Sequence, residues 1–185
     1  MKIDVKKGWS SHLGVLLRVI AKAEGTVVEF GAGPGSTPVL HWVCRAKGVK
    51  LITYESVPFY YMFAKQYQSR NHLVRFVDAW ANVTLRKRCG VLFMDQGPAH
   101  VRGLDAMRLR HAADYIVLHD TQPHHEKHVV HHRKRNPDFT GTDMYNYDPM
   151  WPMFPYVYTC TDVHPWVSVV SMTHDCSWLD KSVWP

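Results

Sequence analysis

The run Val27-Val28-Glu29-Phe30-Gly31-Ala32-Gly33-Pro34-Gly35-Ser36-Thr37-Pro38 limits this chain more than any other stretch: an apolar strand, a glycine-rich turn and a helix start follow one another without a gap. A strand that feeds directly into a helix belongs to the layered α/β architectures, with the helix N-terminus set just beyond a sheet edge. Glycines at that point allow φ > 0 and a close approach of ligand to backbone. Thr37 reads as the N-cap and Pro38 as the first helical residue, where a missing N–H costs nothing. Such a turn suits the polar part of a nucleotide-like ligand.

What the turn lacks narrows the ligand. No Gly-Lys-Ser/Thr follows, so it is not a phosphate-binding P-loop, and Ser36 stands where a dinucleotide fingerprint needs its third glycine. The remaining pattern is acid-x-Gly-x-Gly-x-Gly, built from Glu29, Gly31, Ala32, Gly33, Gly35 and Ser36. Glu29 is expected to offer its carboxylate to a cationic ligand group.

Strand and helix patterns alternate from there to residue 121. Leu51-Ile52-Thr53-Tyr54 ends in Glu55-Ser56, an acid about twenty residues beyond the turn, where a carboxylate accepts ribose hydroxyls. Leu73–Val77 delivers Asp78-Ala79-Trp80, Val91–Met94 ends in Asp95, and Tyr115–Leu118 ends in His119-Asp120. The helices between them are expected at 38–47, 57–69 and about 101–112. A doubly wound parallel sheet brings all these strand ends to one crevice. Two later runs, 156–160 and 166–171, joined by Asp162-Val163-His164-Pro165, read as an antiparallel hairpin closing the sheet.

At 185 residues the chain is read as a single domain, 1–185. Leu13, Leu16, Leu17 and Ile20 recur at helical spacing before the glycine strand, with Arg18 among them, which marks an amphipathic helix and not a signal peptide. No apolar run is long enough for a membrane span. Cys44, Cys89, Cys160 and Cys176 lack metal or scaffold spacing and are expected to be reduced, in a cytoplasmic protein. The net charge of +6 concentrates only at Arg86-Lys87-Arg88 and Arg133-Lys134-Arg135, so a non-catalytic nucleic-acid-binding module is the weaker alternative. Residues 122–150 interrupt the pattern with a histidine-rich insertion, read as a lid over the crevice. Its His-Glu-Lys-His narrowly misses the HExxH metal signature, although His124, His128 and His131 would share one helical face. His12, just before the first helix, is a further candidate site residue, with Ser10 or Ser11 as caps.

The segments VVEFGAGPGST, LITYES, FVDAW, VLFMDQGP and YIVLHDT together resemble the class I S-adenosylmethionine (SAM)-dependent methyltransferases over nearly the whole chain. The resemblance implies a Rossmann-like sheet, mostly parallel with an antiparallel C-terminal hairpin and a helix between each pair of parallel strands. It implies SAM on Glu29, Gly31–Ser36, Glu55 and Ser56, with Asp78, Ala79 and Trp80 at the adenine and Asp95 facing the reacting end. Strand ends four and five are similar to those of metal-dependent O-methyltransferases of the catechol and macrocin types and of the cephalosporin hydroxylase group. That sub-resemblance implies a divalent metal on Asp95, His119 and Asp120, with His119 departing from the usual acid and favouring manganese, iron or zinc over magnesium. Either a metal lowers the pKa of an acceptor hydroxyl or His119 takes its proton as base; the same residues serve both routes. The expected activity is O-methylation of a small-molecule or sugar-like acceptor, with a metal-dependent hydroxylase on the same fold as the alternative.

Overall fold

The computed structural model describes residues 10–122 and 147–180. Helix α1 (Leu13–Lys22) precedes β1 (Val27–Phe30), α2 (Thr37–Lys47), β2 (Leu51–Glu55), α3 (Pro58–Lys65), β3 (His72–Phe76), β4 (Cys89–Met94), α4 (Arg102–Leu109), β5 (Ala113–His119), β6 (Tyr156–Cys160) and β7 (Val167–Ser171). The strands form one sheet in the order β3-β2-β1-β4-β5-β7-β6. β1 to β5 are parallel, and β7 runs antiparallel to both β5 and β6.

The central strands are apolar on both faces because both faces are covered. β1 and β4 are buried along their whole length. Val27, Val91, Phe93 and Val117 pack with Leu16, Val19 and Ile20 of α1 and Leu40 of α2 on one side. Val28, Phe30, Leu92, Met94, Ile116 and Leu118 pack with Trp80, Ala106, Met150 and Phe154 on the other.

The sequence expectation differs from the fold at two connections. β3 passes to β4 through a single 3₁₀ turn at Trp80–Asn82 in place of an α-helix. Ser36, not Thr37, holds the N-cap position of α2, and its hydroxyl makes no cap bond because it is spent on Glu29. The other helices and strands stand within a few residues of their expected places. All four cysteines are buried free thiols.

Helix α1 is tied down at its C-terminal end. Lys47 Nζ donates to the carbonyls of Ile20, Ala21 and Ala23 at 2.5, 2.9 and 2.5 Å. Arg18 donates to the carbonyls of Leu179 and Trp178 at 2.8 and 3.1 Å. The N-terminal end of α1 carries His12 to the sheet edge where β1, β4 and β5 stop. Because β7 is antiparallel, its start brings Pro165 to the same edge. No helix among the described residues is long and apolar enough to cross a membrane. The 122–150 insertion lies outside the described residues except for Gln122 and 147–150.

Candidate functional site

A cavity of about 450 Å³ opens at this edge, a size in the range of small-molecule sites. One wall is the glycine turn, Gly31 to Ser36, with Glu55, Val57 and Tyr60; the facing wall is His12, Asp95, Gly97, His119, Asp120 and Pro165. The structure therefore brings together Gly31, Ala32, Gly33, Gly35, Ser36, Glu55, Asp95, His119 and Asp120 from the sequence-predicted set.

Glu29 is corrected. It is fully buried and does not line the cavity. Its carboxylate accepts the hydroxyls of Ser36 (2.5 Å), Thr37 (3.1 Å to each oxygen) and Thr53 (2.7 Å). Thr37 Oγ1 in turn accepts the N–H of Gly33 at 3.0 Å. Glu29 thus fixes the turn from beneath and stands off the cavity. Burial pushes its carboxyl up to about 7, against the three hydroxyl donors that favour the charged form. A raised acid pKa means the folded state holds a proton that the unfolded chain releases, so stability is full below about pH 4.5 and falls as pH rises toward 7. Glu29→Gln is expected to gain about 3 kcal/mol relative to wild type between pH 4.5 and 8, measured as the difference between two urea-unfolding profiles. A pH-independent difference would contradict this assignment.

Trp80, Asp78 and Ala79 are also corrected. Trp80 is core: its ring stacks on Phe30 with centroids 5.4 Å apart. Its indole N–H donates to the Gly97 carbonyl at 2.7 Å, which shapes the cavity loop from behind. Asp78 and Ala79 are exposed and stand off the cavity. Val57 and Tyr60, which follow β2, line the cavity instead. Ser56 is likewise off the cavity; its backbone N–H, with that of Val57, bonds Glu55 Oε1 at 2.7 Å each. Glu55 Oε2 accepts the Ala32 N–H at 2.6 Å. Burial raises the Glu55 carboxyl pKa even so.

The facing wall is organised by Arg102, a buried residue of α4 that the sequence reading missed. Its guanidinium reaches Asp95 Oδ1 at 3.0 Å and Asp120 Oδ2 at 2.8 Å. It also donates to the carbonyls of Gln96 (2.7 Å), Asp95 (3.1 Å) and His119 (3.2 Å). Burial works against the Asp95 charge, but Arg102 and His119 outweigh it and hold that carboxyl at about 2. Asp120 is the one non-glycine residue with positive φ among the described residues, at 60°.

His119 Nδ1 lies 3.1 Å from Asp95 Oδ1, and its Nε2 lies 2.8 Å from Ser11 Oγ. Burial lowers the imidazole pKa, yet the hydrogen bond and charge of Asp95, with Asp120, raise it above its ordinary value. Ser11, His119 and Asp95 stand in the order of a nucleophile relay. The Ser11 hydroxyl, however, donates to the Pro165 carbonyl at 3.0 Å, so its oxygen accepts from Nε2–H and is not activated for attack. His12 is 1% exposed, and neither of its ring nitrogens has a hydrogen-bond partner. Its ring lies 4.7 Å from those of Phe93 and His119, and burial, then His119, lower its pKa to about 3.

The expected metal trio does not assemble as the sequence suggested. Asp120 is engaged by Arg102 and sits 3.8 Å from His119 Nδ1. The ligand-type atoms that lie within 4.8 Å of one another, among the described residues, belong to His12, Asp95 and His119. Of the basic clusters, Arg86-Lys87-Arg88 precedes β4 at the sheet edge opposite the cavity, with Arg88 paired to Asp114 at 2.5 Å. Residues 133–135 lie outside the described residues.

By sequence the chain matches no protein-family model and no curated protein. By structure it is similar to the SAH-bound methyltransferase PaMTH1 of Podospora anserina, with 12% identity, 90% of this chain and 79% of that one covered, and a TM-score of 0.64. It is similar to TomG, an O-methyltransferase of Streptomyces achromogenes involved in tomaymycin synthesis and solved with SAM (13% identity, 92% and 82% covered, TM-score 0.61). A third is an O-methyltransferase of Bacillus cereus in complex with SAH (16% identity, 91% and 82% covered, TM-score 0.59). The chain has the class I methyltransferase fold.

Proposed function

We propose that this protein is a single-domain SAM-dependent methyltransferase acting on an oxygen of a small-molecule or sugar-like acceptor. The observation that carries the reading is the two-walled cavity: a glycine turn backed by Glu55 on one side, and the Asp95–His119 pair on the other. The fold shared with SAM- and SAH-bound methyltransferases, two of them O-methyltransferases, supports it.

The residues fit such a donor. A Cβ added at Gly33 would meet no atom within 4 Å, so the turn leaves open space above itself. Glu55 offers about four lone-pair sites and spends three on backbone N–H groups, which leaves one for a ribose hydroxyl. Val57 and Tyr60 supply apolar and aromatic surface for an adenine. When bound, SAM supplies an electrophilic methyl group for in-line displacement. The chain's part is to hold the acceptor in line and draw off its proton at the Asp95–His119 corner, with Asp120 held beside that corner by Arg102.

Calorimetry with SAM and S-adenosylhomocysteine tests this directly. Gly33→Val fills the open space without a positive-φ penalty, since Gly33 is not among the positive-φ glycines. It is expected to lose about 100-fold in affinity for S-adenosylhomocysteine, about 3 kcal/mol, with an unchanged melting temperature. Wild-type protein that binds neither compound, or a variant that binds as well as wild type, would refute the reading. A second reading, a metal-dependent hydroxylase on the same fold, is favoured by the two-imidazole, one-carboxylate grouping. Product formation that requires oxygen and not SAM would establish it.

A further inference from the structure

We propose that His12, Asp95 and His119 hold a divalent first-row transition ion, with two imidazole nitrogens and one carboxylate as protein ligands and the cavity side left to the acceptor. That such an ion activates the acceptor rests on the methyltransferase reading; that it binds does not.

Hydrogen-bond accounting leads to this site. A buried polar nitrogen without a partner is costly, and His12 buries two of them on the cavity wall. Nothing in the polar network around it reaches either nitrogen, although that network satisfies Arg102, Asp120, Ser11 and His119. An ion between His12 and Asp95 supplies the missing partner.

His119 is set up to join it. Ser11 donates its only proton to the Pro165 carbonyl, so the Nε2 of His119 must carry a proton to bond Ser11; Nδ1, which meets Asp95 Oδ1 at 3.1 Å, is then the nitrogen that would give up its proton and take the ion in exchange for that hydrogen bond. A ligating histidine that gives its other N–H to an oriented acceptor is the usual support for a metal-bound imidazole. Arg102 and His119 both approach Oδ1 of Asp95, which leaves Oδ2 for the ion. The ligand-type atoms lie within 4.8 Å of one another, against the roughly 4 Å that bonds of about 2.1 Å to one ion allow.

The donor set selects the ion. Magnesium prefers an all-oxygen octahedral shell, whereas imidazole with one carboxylate suits manganese, iron, cobalt or zinc. His12 comes from the segment before α1, not from a strand end, so the site is stitched across the chain.

The test is calorimetric titration of chelator-treated, tag-free full-length protein with Zn²⁺, Co²⁺ and Mg²⁺, with visible absorption for Co²⁺. His124, His125, His128, His131 and His132 are replaced by Asn in a parallel background so that the histidine-rich segment does not contribute. One Zn²⁺ or Co²⁺ per chain is expected, bound at least about 100-fold more tightly than Mg²⁺. His12→Phe keeps a ring against Phe93 and removes both nitrogens; it is expected to weaken Zn²⁺ at least about 100-fold, and Ser11→Ala about 10-fold. Metal-free His12→Phe should melt at or above metal-free wild type, because the unpartnered nitrogens are gone. No Zn²⁺ or Co²⁺ binding, equal binding by His12→Phe, or equal affinity for Mg²⁺ overturns the proposal. S-adenosylhomocysteine titrated on the same samples separates the two readings: its binding without metal binding removes the ion alone, and metal binding without it removes the methyltransferase alone.

Discussion

Arg102→Met is expected to lower folding stability by about 3–5 kcal/mol at pH 7.5, because it strips the counter-charge from two enclosed carboxylates while leaving them in place. Methionine is close in length to the arginine stem, so packing loss is a minor part. The guanidinium also satisfies the carbonyls of Asp95, Gln96 and His119, which the variant leaves with fewer donors. The pH dependence gives the diagnosis. In wild type the Asp95 carboxyl is held at about 2, below its ordinary value, so its contribution is present above about pH 4 and lost as pH falls toward 2. In the variant burial acts on Asp95 without its main counter-charge and raises that carboxyl, so stability should recover as pH falls from 7 toward 4.5 and the group protonates. Urea unfolding of the two proteins at pH 7.5 and 4.5 checks this; a deficit of the same size at both pH values would mean that packing, not charge, is the cause.

Gly31→Ala ranks with it. Gly31 has φ of +88°, and a Cβ there would stand 2.6 Å from both the backbone N and Cα of Gln96. Gln96 has little room to retreat, since its carbonyl is held by Arg102 and its side-chain amide by Asp105 at 3.1 Å. Strained φ costs about 1–3 kcal/mol and overpacking a similar amount, so a loss of about 4 kcal/mol follows, or a melting temperature about 10 °C lower. Differential scanning calorimetry reads the shift. An alanine variant that melts within about 2 °C of wild type would show that the β1 turn and the β4 loop are not locked together. The contrast with Gly33→Val separates the two glycines: one shapes the protein, the other makes room for a ligand.

The sheet was legible because both faces are covered: β4 reads as an unbroken apolar run and β1 as one interrupted only by Glu29, while β2, β4 and β5 run into Glu55, Asp95 and His119 at their ends. The glycine turn, Glu55, Asp95 and His119 could be placed at the crevice on those grounds alone. What stayed hidden depended on contacts distant in sequence. Glu29 looks like a ligand group until Thr53, on the next strand, turns a hydroxyl onto it. Trp80 looks like a wall for an adenine until Phe30 and Gly97 claim its ring and its N–H. Arg102 is one arginine in a short polar helix, and no local pattern signals that the tips of β4 and β5 require a cation. His12 could be marked as a candidate, but its unpartnered nitrogens are visible only in three dimensions.

The ties at the C-terminal end of α1 make that helix a lever. Lys47 clamps its end ahead of β1 and Arg18 ties its middle to the Trp178 and Leu179 carbonyls, while His12 rides on the other end, about 15 Å from Lys22. The imidazole is therefore held by its ring contacts with Phe93 and His119 and, through the helix, by residues that do not line the cavity. The seat of a cavity side chain is thus tied, through one short helix, to hydrogen bonds made at the far end of that helix.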